Sequence, residues 1–169
     1  MLAVPGAGAP PERPRMGRRA MDIAFQTEAQ RHVYGKVSAH LNAMFADSVQ
    51  ANADRPLFYL SKGSAIAQVS VMPWSEDDAI VSVRSYVVFG AAAEQNLLHF
   101  LLRCNDRVRF GAFGLDEDDD IFFEHRLLGS ACDKAEIAAS VLAVLQTADE
   151  YDDVIQARWG GERAVDEFK

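Results

Sequence analysis

Four carboxylates crowd one short stretch: Asp149, Glu150, Asp152 and Asp153. On a helix, 149 shares a face with both 152 and 153. Paired carboxylates run acid–base chemistry when burial drives their pKa values apart. A small hydrolase or ligand-binding enzyme, with a nearby arginine, is the reading they support on that basis. No His, Cys or Ser stands among them, however. A solvated face answered by Arg103, Arg107, Arg109 or a partner's base is the simpler expectation.

A second acidic run, Asp116-Glu117-Asp118-Asp119-Asp120, has the composition of a calcium loop but not its spacing. Such a loop needs Gly at its sixth position and Glu at its twelfth. Ile121 and Leu127 stand there instead. A solvated hairpin turn is expected. The histidines are dispersed. His32 and His40 lie eight apart, while His99 and His125 are isolated. Cys104 and Cys132 form no C-x-x-C pair and have no His at metal spacing, so they read as small buried side chains. There is no G-x-S-x-G, no phosphate-binding loop, and no G-x-G-x-x-G that opens a helix. The expectation is a chain with no catalytic residue, no metal and no cofactor.

Charge narrows the partners. The net charge is −8 over 169 residues. Residues 1–22 carry Arg13, Arg15, Arg18 and Arg19 against Glu12 and Asp22, so the remainder is more acidic still. A body of that sign repels phosphate backbones, which excludes the usual driving force for nucleic-acid binding. No apolar run approaches the roughly 18 residues of a membrane span. The stretch after Arg18-Arg19 is not the apolar core of a signal peptide. The expected compartment is the cytoplasm.

These residues need elements to position them. Residues 1–22, rich in Pro, Gly, Ala and Arg, read as a disordered basic arm; Met16 and Met21 could each begin the chain. Residues 23–161 read as one domain and 162–169 as a C-terminal tail. A first helix opens at Thr27, which with Gln30 forms a capping box, and Val33, Val37, Leu41, Met44 and Phe45 make its stripe. Gly35 inside it marks a close backbone approach or is merely tolerated. Strands follow over 57–62, 65–72 and 79–89, separated by Gly63-Ser64 and by Ser75-Glu76-Asp77-Asp78. A second helix covers 91–104, with Asn105 as a left-handed stop. Two strands, 109–115 and 120–127, flank the acidic turn. Gly111 and Gly114 within them suggest a bulge or tight backbone contact. A last helix opens at Asp133, boxed with Glu136, and stops at Gly160-Gly161. The expected class is α+β, ordered α-βββ-α-ββ-α, with a five-stranded antiparallel sheet under helices.

Side chains alternate across a strand. Ala65, Ala67, Val69 and Val71, with Val81, Val83, Val87 and Phe89, make an apolar face to pack under the helices. The opposite face carries Ile66, Gln68, Ser70, Met72 and Trp74, then Ile80, Ser82, Arg84, Tyr86 and Val88. Ile, Met, Trp and Tyr do not suit a solvated face, and Gln, Ser and Arg do not suit a core. Aromatics, Met and Arg among polar residues are typical of interfaces. Ile66, Gln68, Met72, Trp74, Ile80, Arg84 and Tyr86 are therefore the expected protein-binding or dimer face. The alternative is that a helix or the chain's own tail covers it.

Three stretches carry a resemblance: 101–125 (LLRCNDRVRFGAFGLDEDDDIFFEH), 127–144 (LLGSACDKAEIAASVLAV) and 147–161 (TADEYDDVIQARWGG). In them the chain resembles the YbjN family, and more loosely so over most of 24–161. The resemblance implies a fold similar to class I type III secretion chaperones, usually homodimers that hold an extended segment of a client. It implies no known catalytic residue, and it marks Asp149, Glu150, Tyr151, Asp152 and Asp153 as motif positions without a role. The function expected is a non-enzymatic protein- or peptide-binding module, chaperone-like or regulatory and homodimeric.

Overall fold

A computed structural model describes residues 23–63 and 65–167; the arm at 1–22 and Ser64 of the first turn lie outside the described residues. Helix α1 (Glu28–Phe45) starts where its sequence places it, with the Thr27 hydroxyl accepting from the Gln30 N–H at 3.0 Å. Only half of the capping box forms. Gln30 is buried and turns inward, donating to the Val71 carbonyl at 2.8 Å and accepting from the Gln26 N–H at 2.8 Å. Anchoring the helix to the sheet uses the amide that the box would have taken. No heavy atom lies within 4 Å of where a Cβ on Gly35 would sit, so that glycine serves no close approach.

The sheet has seven strands, not five: β1 (Val49–Ala51), β2 (Leu57–Lys62), β3 (Ala65–Trp74), β4 (Asp78–Phe89), β5 (Ala112–Leu115), β6 (Ile121–Leu128) and β7 (Glu162–Arg163). The order is β1-β2-β3-β4-β6-β5, with β7 beside β4, and every pairing is antiparallel. The two unexpected strands have three and two residues, too few for alternation to show in sequence.

Helix α2 (Gln95–Asn105) starts four residues later than expected, at Glu94, whose side chain does not cap it. Asn105 is not a left-handed stop. It is the last helical residue, and its side-chain amide clamps the Phe113 backbone, accepting at 2.7 Å and donating at 3.2 Å. Helix α3 (Lys134–Trp159) has the full capping box of Asp133 and Glu136. It ends at Gly160, with φ of 73°. A Cβ on Gly161, with φ of 84°, would stand 2.4 Å from the Phe89 carbonyl oxygen. Only glycine lets the chain return so close to β4, where β7 and a short helix α4 (Ala164–Glu167) follow. The segment read as a tail is thus part of the fold as far as Glu167.

Helices α1 and α3 cover one face of the sheet. Val37, Leu41, Phe58, Val69, Val81, Val83, Ile137, Val141, Val144 and Ile155 are completely buried between these layers. Tyr34 stacks on Phe58 with ring centroids 4.7 Å apart. Truncating a phenylalanine so enclosed costs about 3–5 kcal/mol. The alternation expected for β4 holds until a bulge between Tyr86 and Val88. There the faces exchange. Val88 is fully buried opposite Ile121, and Phe89 leaves the core face to stack on Tyr86 at 5.2 Å.

Candidate functional site

The sheet face turned away from α1 and α3 follows from the strand register. At one end Met72, Ile80 and Leu128 stand side by side on β3, β4 and β6, with Trp74 beyond them. Met72, Trp74 and Leu128 are 36%, 55% and 39% exposed, so this row is apolar and open to solvent. The next two rows are polar: Ser70, Ser82 and Arg126, then Gln68, Arg84 and Glu124.

Within the polar strip, Ser82, Arg84 and Arg126 converge on Glu124. The Ser82 hydroxyl donates to Glu124 Oε1, while the Arg84 and Arg126 guanidiniums reach Oε2 at 3.2 and 2.9 Å. Burial alone would raise the pKa of Glu124. The Ser82 hydrogen bond and the two arginines outweigh it and hold the carboxyl below its usual range. Arg84 also lies over the Phe122 ring, 3.9 Å from its centroid. Phe122 in turn rests on Gly114, where a Cβ would meet the ring at 2.5 Å, so the tight contact expected at that glycine is present.

The far end is aromatic and concave. Tyr86 is buried, stacked on Phe89 and edge-on to Phe122 at 6.3 Å. Its hydroxyl donates to Asp116 Oδ2 at 3.0 Å. Burial first, and then Asp116, push its pKa up to about 12. Asp116 also accepts from the N–H groups of Asp118 and Asp120, so the acidic run is a self-bonded hairpin turn. Beside Tyr86 lies a depression of about 190 Å³. Tyr59, Ile66, Gln68 and Tyr86 line it from the central strands, Gln50 from β1, and Ala164 and Val165 from α4.

Of the expected face residues, Ile66, Gln68 and Tyr86 gather at the depression, Arg84 sits in the polar strip, and Met72, Trp74 and Ile80 form the apolar end. The sequence reading missed the contribution of β6. Phe122, Glu124, Arg126 and Leu128 alternate on the same face with the same mixed chemistry, which was visible in IFFEHRLL. It also missed α4, for which a four-residue helix leaves no periodic signal.

The 149–153 carboxylates diverge. Asp149 lies exposed at the β2–β3 turn, with its Oδ1 2.9 Å from where a Cβ on Gly63 would sit. Tyr151 packs edge-on to Phe113 at 5.2 Å. Asp152 is buried and accepts from the Asp153 N–H at 2.6 Å. Asp153 pairs at 2.8 Å with Arg163 rather than with Arg103, Arg107 or Arg109. Glu150 is exposed. The motif thus distributes its side chains to a turn, an aromatic cluster and the C-terminal strand. Among the described residues no three His, Cys, Asp or Glu are placed to hold a metal ion, and no helix is long and apolar enough to cross a membrane.

A helix-backed antiparallel sheet in this order is the fold of the type III secretion chaperones. Residues 31–167 match the family described as TY-Chap1, "T3SS (YopN, CesT) and YbjN peptide-binding chaperone 1", and the chain belongs to that family. The YbjN resemblance read from residues 101–161 is borne out. Among solved structures, the crystal structure of the ExsC–ExsE complex is similar with a TM-score of 0.56 at 11% identity, over 75% of this chain and 95% of that one. The Yersinia pestis type III secretion chaperone SycH, in complex with a stable fragment of YscM2, is similar with a TM-score of 0.47 at 14% identity, over 69% of this chain and 96% of that one. No curated protein sequence matches the chain.

Proposed function

We propose that this protein is a non-enzymatic, chaperone-like peptide-binding module that holds a protein client across the outer sheet face and works as a homodimer. The observation that carries the reading is the outer face itself, where the described residues leave an apolar row exposed at one end and a concave aromatic end at the other, walled in part by α4. The peptide-binding description of the family and the divergence of the only carboxylate cluster that suggested catalysis both support it. The dimer rests on a second surface. Leu98 and Leu102, one turn apart on α2, are 37% and 66% exposed, so the apolar surface is divided between sheet and helix.

The client test uses proteins captured from native extract by wild type and by a Met72→Asp/Trp74→Asp variant, both residues being exposed enough to leave the fold intact. The expected result is a discrete client whose affinity falls at least about tenfold in the variant, equivalent to about 1.4 kcal/mol. Equal capture by both would move the site off this face. Sedimentation tests the dimer: Leu102→Glu should give monomers while the sheet variant stays dimeric. A monomeric wild type would end the dimer proposal.

A further inference from the structure

We infer that the depression beside Tyr86 is an anchor pocket for one uncharged, ring-sized side chain of the client, of which phenylalanine is the type. The inference rests on the client reading above and names the chemistry of one of its contacts. Size comes first. A cavity of about 150 Å³ suffices to hold benzene, and this one offers about 190 Å³. One aromatic or large aliphatic side chain fits; two do not.

The lining sets the charge. Ile66, Ala164 and Val165 supply apolar wall, and Tyr59 and Tyr86 supply rings that accept an aromatic edge or face. The polar groups, Ser48, Gln50, Ser61 and Gln68, are all neutral. Among the described residues no Asp, Glu, Lys, Arg or His lines the space. A charged side chain entering it would shed water and find no counter-charge. The Tyr86 hydroxyl is already committed to Asp116, so the ring, not the phenol, is what it offers a guest.

Spacing supplies the second half. Ile66 lines the pocket and Met72 belongs to the apolar row; both project from one face of β3, six residues apart. At about 3.3 Å per residue that is about 20 Å. An extended client lying along β3 would therefore carry an uncharged aromatic residue and, about six residues away, a second apolar residue for Met72, Trp74, Ile80 and Leu128.

The experiment titrates isotope-labelled full-length protein with N-acetylphenylalaninamide, and separately with the capped lysine and glutamate amides, reading backbone amide shifts. The expected result is saturable perturbation at Ile66, Gln68, Tyr86 and Val165 by the phenylalanine probe, with both charged probes at least about tenfold weaker. Ser61→Trp, which places a β-compatible ring at the pocket rim, should abolish the response, and so should Ile66→Lys, which puts a charge inside. Similar responses to all three probes, none at these residues, or an unchanged response in both folded variants would overturn the anchor. A client captured by wild type with no response to the phenylalanine probe overturns the anchor alone and leaves the binding reading intact. A clear probe response in a protein that captures no client overturns the anchor as a client contact together with that reading.

Discussion

Asp153 near the end of α3 and Arg163 of β7 meet at 2.8 Å, and the same guanidinium reaches Asp166 of α4 at 2.9 Å. One arginine thus ties the long helix to the segment that walls the pocket. Arg163→Ala should leave the melting temperature nearly unchanged, because ion pairs this exposed contribute little globally. It should instead loosen the segment locally. Hydrogen exchange resolved by peptide should quicken at 162–166 and at their β4 partners Val88 and Phe89. Unchanged exchange there would mean that strand pairing and the burial of Ala164 hold the segment without the arginine.

Gly35 sits on the exposed side of α1, with open space where a Cβ would go and a φ that is not positive. Nothing in the structure uses its flexibility. Gly35→Ala should therefore stabilise the protein by about 1 kcal/mol, through helix propensity and a less disordered unfolded chain. Urea denaturation measures this. A loss of stability would show that the glycine serves a contact with another copy or a partner.

Much of the fold was legible because its signals are local and repeated. The stripe of α1, the Asp133–Glu136 box and the alternation of β3 each extend over several residues. Misreadings fell where one residue changes the count. The bulge after Tyr86 exchanged Val88 and Phe89 between faces, and nothing in SYVVF announces it. Asn105 looked like a stop because its long-range partner, the Phe113 backbone, cannot be seen from a helix end. The mixed face was legible from alternation alone, but its concavity was not, because α4 reaches it only after Gly160-Gly161 turns the chain back.

Glu124 holds the polar strip together, so its removal should leave Arg84, half-sheltered against Phe122, without its carboxylate. Glu124→Gln should cost roughly 2 kcal/mol, the usual worth of a hydrogen bond to a charged group. The sign of the acid dependence follows from the lowered pKa. A carboxyl with a folded pKa below its unfolded value stabilises the fold above about pH 4.3, and that stability disappears as pH falls through the folded pKa. The variant should lack this part of the acid limb in denaturation curves taken below pH 5. Parallel acid limbs would place the sensitivity elsewhere.

His125 has the opposite chemistry within a neighbouring layer. Its Nδ1 lies 2.9 Å from the Ser140 hydroxyl, and Ser140 is fully buried. Phe110 closes its other side edge-on at 5.7 Å. Burial lowers its pKa below the ordinary histidine value. The unfolded chain therefore takes up the proton first as pH falls. Stability is complete above about pH 6.5 and declines as pH drops from there towards the lowered folded value. Protonation leaves Nδ1 able only to donate, so the Ser140 hydroxyl must then accept, whichever tautomer the neutral ring adopts. His125→Asn, which keeps a polar atom near Nδ1 without titrating, should show a smaller loss than wild type between pH 7.5 and pH 5.5. Denaturant titrations at those two pH values decide it. Equal losses in the two proteins would show that His125 keeps its ordinary affinity for a proton in the fold, and that Ser140 accommodates either form.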